Sequence, residues 1–134
     1  MHADVTPVKD PLPQRIAGYI LSGLGGLLLL VGGTVNIIQP ANVVEQSKGM
    51  GFDQHVLLPL GIVTVLSTIL YLIPRTAIWG AILLTGYLGG AVCTHIIHKD
   101  PLGQVLFPVV FGVVIWGGLA LRDPNLRRVL FWRT

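Results

Sequence analysis

Acidic side chains are scarce in this chain of 134 residues: six Asp and Glu stand against nine Lys and Arg, and charged residues make up only 11% of the sequence. An ordinary globular domain carries roughly 25%. So few charges cannot cover the surface of a soluble domain of this length, which excludes water as the solvent for much of the chain. Cysteine is scarcer still. The single Cys93 excludes an intrachain disulfide and any Cys-x-x-Cys redox pair, and its place in an apolar run reads as a small buried hydrophobe.

Also missing is any Asp, Glu, Lys or Arg inside four long apolar runs, residues 16–38, 56–73, 77–97 and 105–121. Proton relays, pumps and voltage sensors place ionisable groups at depth, so transport of that kind is excluded. No His-Glu-x-x-His arrangement is present, and the zinc-hydrolase signal is absent with it. The net charge of +3 comes from basic residues at the ends of apolar runs, with no aromatic-interleaved stripe, so nucleic acid is not an expected partner.

What the chain has is apolar length. Hydrophobic residues account for 52% of it, and the mean hydropathy is +0.74. Crossing about 30 Å of hydrocarbon takes about 20 helical residues, with a working range of about 17 to 25. All four runs fall in that range. Lipid cannot satisfy exposed backbone N–H and C=O groups, so the spans must be helices. The expected fold is an all-α integral membrane protein, an antiparallel bundle of four transmembrane helices in a lipid bilayer. The first run is too long for the apolar region of a secretory signal and reads as a span. Pro59 and Pro108 sit near the starts of their runs, where a missing N–H costs little.

Residues 1–15, with Pro7, Pro11 and Pro13, are expected to be an extended or disordered tail, and residues 122–134 a basic C-terminal tail. The stretch from Ala41 to Lys48 is expected to form a short interfacial helix between spans one and two. With four spans, one side carries Lys9, Arg15, Arg75, Arg122, Arg127, Arg128 and Arg133, and the other only Lys48 and Lys99. The positive-inside rule then places both termini in the cytoplasm. Trp79, Trp116 and Trp132 fall near that same interface, as an aromatic belt would.

Helices in lipid associate through small residues. Gly18, Ser22 and Gly26 share a face of the first span, and Gly86 and Gly90 one of the third, as contact faces for neighbouring helices or a second copy. Polar residues gather toward the other end of the spans. Asn36 and Gln39 close the first, Asp53 and His55 open the second, and His95 and His98 close the third. Tyr87, Ala91, Thr94 and His98 follow helical spacing, with His95 at the edge of their face. An outward-opening vestibule is expected, with an apolar ligand oriented by Asn36, Tyr87, Thr94 and His95. The plainer alternative is that these groups bond neighbouring helices. A further alternative is haem or metal held by His95 and His98 on adjacent turns, with Asp53 or His55 as a third ligand.

The run from Pro74 to Ala77, then Gly80 to Ala91 and on to His95, is similar to the signature of the DoxX-like membrane proteins. So is Leu106-Phe107-Pro108-Val109, followed by Trp116, Gly118, Leu119, Leu121, Arg122 and Asp123. The resemblance implies a four-helix protein of the bacterial inner membrane. The family takes its name from association with a quinone-linked sulfur oxidoreductase, and relatives have been tied to membrane redox complexes. It therefore implies a non-enzymatic accessory or subunit of a membrane redox or quinone-linked system, with a membrane protein partner or a homo-oligomer. A binder of a quinone or lipid, or an enzyme acting on one, is the alternative function.

Overall fold

A computed structural model describes residues 11–131. Among them are six helices and no strand: α1 (Leu12–Ile38), α2 (Ala41–Gly49), α3 (Gln54–Leu72), α4 (Ala77–Ile97), α5 (Leu102–Arg122) and α6 (Pro124–Phe131). Helices α1, α3, α4 and α5 have the length and apolar character of membrane spans, with mean hydropathies from 1.5 to 2.1 over their most apolar windows. α1 packs on α3 and α5, and α4 packs on the same two helices from the other side. The four form a square, with α1 and α4 on one diagonal and α3 and α5 on the other.

The outside of this square is apolar, and its inside combines small and polar residues with large apolar ones, Leu29, Leu84, Leu88, Ile115 and Leu119. Leu24, Leu27, Leu28, Leu66, Ile82, Leu83, Val110 and Val113 are exposed, while Gly18, Ser22, Gly25, Gly61, Thr64, Ser67, Thr68, Gly80 and Ala81 are buried. The apolar exterior follows from the solvent. Lipid tails are as apolar as leucine, so burying leucine gains little, and helices associate by close packing.

Packing is close at the end where the chain termini lie. A Cβ at Gly18 would meet the backbone of Leu121 and Arg122, one at Gly26 the Leu72 side chain, and one at Gly80 the backbone of Tyr71. Tyr71 is fully buried, and its hydroxyl donates to the Ile115 carbonyl at 2.8 Å and hydrogen-bonds the Ser22 hydroxyl at 3.0 Å. The Arg122 guanidinium lies 4.8 Å from the centre of the Tyr71 ring and donates to the Tyr71 carbonyl. One tyrosine thus ties α1, α3 and α5 together.

Several elements differ from the sequence expectation. α1 begins at Leu12, inside the expected tail, because Pro13 in its first turn gives up an N–H that has no helical partner anyway. The remainder of that tail, and Trp132, lie outside the described residues. α3 and α5 begin two and three residues before their apolar runs, so Pro59 and Pro108 are interior. The carbonyls of His55 and Gln104, four residues earlier, lose their helical donors. Arg122 is buried at the end of α5, and the expected basic tail contains α6. Asp123 caps α6, its Oδ1 accepting from the N–H groups of Asn125 at 3.0 Å and Leu126 at 3.3 Å, with Pro124 at the first helical position. Trp116 is half-buried, and its indole N–H donates to Thr85 Oγ1 at 2.9 Å, joining α5 to α4.

Candidate functional site

Beyond its midpoint the bundle opens. The last buried residue of α4 is Leu88, although the helix continues to Ile97. The first half of α5 buries only Pro108. Small residues on α4 (Gly86, Gly90, Ala91) and Gly32 on α1 border space that no neighbouring helix leans in to fill, whereas Gly33 packs against Gly61 and Val65 of α3.

Among the cavities in this half, two meet the polar face of α4. The first, of about 430 Å³, lies between α1, α3 and α4, and α2 with its following loop adds Ser47, Met50 and Phe52 to the lining. The second, of about 510 Å³, lies between α1, α4 and α5 and is walled by Leu28, Leu29, Phe107 and Phe111. Tyr87, Ala91 and His95 line both, so one face of α4 is the shared wall. Each volume lies within the roughly 300–1,000 Å³ typical of small-molecule sites.

Asn36, Tyr87, Thr94 and His95 all line the first cavity. Thr94 turns its hydroxyl back to the Gly90 carbonyl at 2.9 Å, so it adds little polarity to the space. Among the described residues, the Asn36 amide and the Tyr87 hydroxyl have no protein hydrogen-bond partner, and neither does His95 Nε2. The other ring nitrogen, Nδ1, lies 2.7 Å from Asp100 Oδ2, with both side chains partly buried. The walls around these groups are otherwise mainly apolar.

Asp100 is a site residue that the sequence did not reveal. It lies beyond α4, and the helix ending delivers it. Lys99 takes a left-handed conformation at φ 58. Its N–H reaches the Ile96 carbonyl at 3.0 Å, and the Asp100 N–H reaches the His95 carbonyl at 3.0 Å. This pair of bonds is a Schellman ending, which folds residue 100 back over the last turn. The available signal was a short polar run, His98-Lys99-Asp100, halted by Pro101.

The expected metal set is not assembled. Among the described residues no three His, Cys, Asp or Glu side chains converge. Asp53, His55 and His98 are exposed, and His95 is engaged by Asp100 instead. The His98 ring packs near Gly51, whose φ of 78 sets the turn before α3. Gly86 and Gly90 of α4 are not contacts between helices of this chain. A Cβ at Gly86 or Gly90 would meet nothing within 4 Å, because both border the first cavity.

A closely packed core under an apolar exterior, with partly polar clefts in one half, defines a small membrane protein with four spanning helices. More specifically, the chain belongs to the DoxX-like family, whose model matches residues 20–118, from the first turns of α1 almost to the end of α5. The match includes every cavity-lining residue named above. No curated protein matches the chain, and no solved structure matches it.

Proposed function

We propose that this protein binds a small, mainly apolar molecule with one hydrogen-bonding end, such as a quinone or a lipid. On this reading it serves as a non-enzymatic component of a membrane redox or quinone-linked system. One observation carries the binding reading. Asn36, Tyr87 and His95, each with a polar atom that has no protein partner among the described residues, line cavities whose walls are otherwise mainly apolar. Polar groups within a bundle ordinarily bond a neighbouring helix. Groups held open in this way fit a molecule that supplies the missing partner and fills the void with its chain.

The protein sits, on this reading, in the bacterial cytoplasmic membrane with both termini inside, so the cavities lie toward the outer leaflet. The seven-to-two split of Lys and Arg in the sequence supports that orientation. Reporter fusions at each terminus test it, and a periplasmic signal from either overturns it.

The binding experiment is purification in mild detergent, followed by organic extraction and mass spectrometry. A stoichiometric quinone or lipid species, reduced in Tyr87→Phe and His95→Ala proteins of unchanged thermal stability, is the expected result. Only bulk lipid, unaffected by those substitutions, would overturn the reading. The same preparation tests the subunit role, which predicts a co-purifying membrane redox protein.

A further inference from the structure

We propose that the site selects molecules whose polar end donates a hydrogen bond through a hydroxyl, and that Asp100 sets this preference by fixing the tautomer of His95. The inference rests on the binding reading above and narrows it to one ligand chemistry.

An ionised carboxylate only accepts hydrogen bonds. With Asp100 Oδ2 at 2.7 Å from Nδ1, the proton of the neutral ring resides on Nδ1. Nε2 then carries a lone pair and no proton, and it has no protein partner among the described residues. A hydroxyl reaching Nε2 donates to it. A carbonyl or ether oxygen in the same place sets lone pair against lone pair. Of a quinone and its quinol, only the quinol brings the donor. Asn36 and Tyr87 each offer both a donor and an acceptor, so they hold either kind of head group without discriminating. Discrimination therefore falls to His95, and Asp100, which lines neither cavity, acts as its positioning residue.

The Schellman ending makes this arrangement firm. Asp100 is held by its own backbone bond to His95, so imidazole and carboxylate are fixed at one helix terminus. Without the carboxylate, the neutral ring is free to exchange tautomers and meet donors and acceptors alike.

The test uses the full chain in lipid nanodiscs at pH 9. The probes are 1-dodecanol and its methyl ether, which share a chain and differ in the O–H. Titration calorimetry, referenced to empty nanodiscs, should show the alcohol binding about tenfold tighter, the worth of one hydrogen bond. Asp100→Ala should reduce that ratio to about twofold as the ring regains both tautomers. Asp100→Asn, which keeps the shape and whose amide can donate to Nδ1, should lower or reverse it. Equal binding of alcohol and ether to the unaltered protein would overturn the selectivity while leaving the binding reading intact. A tenfold ratio surviving in both Asp100 variants would overturn the role of Asp100. Binding of neither probe above the empty-disc reference would overturn the binding reading and this inference together.

Discussion

At the end of the bundle that holds the termini, Gly80 brings α4 against the Tyr71 backbone of α3; six residues further along the same helix, Gly86 borders empty space. The two glycines are about 9 Å apart along the axis. One is a contact and the other a vacancy. The difference lies in the neighbouring helices. Near the termini Tyr71, Ser22, Ile115 and Arg122 draw α1, α3 and α5 together. Toward the other end, Pro59 and Pro108 each remove a helical hydrogen bond. Among the described residues α1 stays tied to α3 there through Gly33, Gly61 and the Gln39–Gln54 pair, while no hydrogen bond ties the far half of α4 to its neighbours. The polar residues divide likewise. Near the termini Tyr71, Ser22 and Arg122 are spent on the protein, and at the far end, although Gln39, Gln54 and Thr94 are bonded, Asn36, Tyr87 and His95 Nε2 are left over among the described residues.

That contrast can be broken most severely at Gly80. Gly80→Val forces side-chain atoms into the Tyr71 backbone, which cannot yield, and should cost about 3 kcal/mol or more. Size-exclusion profiles and thermal unfolding in detergent should show loss of the monodisperse folded species. A smaller break is Tyr71→Phe, which deprives the Ser22 hydroxyl of its partner and should cost about 1–3 kcal/mol, read as a lowered Tm.

Gly86→Ala sharpens the comparison from the other side. No atom lies within 4 Å of the added methyl, so stability should hold or rise by up to about 1 kcal/mol through helix propensity. The same methyl narrows the first cavity, and ligand retained through purification should fall. The smallest stability effect is expected for Tyr87→Phe, within about 0.5 kcal/mol in Tm-based measurements, because no protein bond is lost. Its ligand affinity should drop roughly fivefold. A large loss of stability in Gly86→Ala or Tyr87→Phe would mean that the two ends are packed alike.

The elements were more legible in the sequence than the contacts between them. The third apolar run and α4 share the bounds 77–97, and the interfacial helix expected over 41–48 is α2, ending one residue later. Helix ends at Pro11, Pro13 and Pro124 were less legible, because proline reads as a breaker although it is tolerated in a first turn. Asn36, Tyr87, Thr94 and His95 could be grouped beforehand because helical spacing and position along the span place them at one depth. Asp100 could not. Its approach to His95 depends on a left-handed Lys99, and lysine carries no mark of that conformation. The metal alternative paired His95 and His98 by their spacing on adjacent turns and added Asp53 or His55 by depth, whereas coordination requires direction as well.

The sequence by itself determined that four helices cross a bilayer, since hydrocarbon thickness sets their length and an unsolvated backbone permits no other form. Only the tertiary structure decided which small residues touch, where the void falls and which carboxylate meets His95. Those outcomes depend on distances between helices and on the conformation of one capping residue, and hydropathy encodes neither.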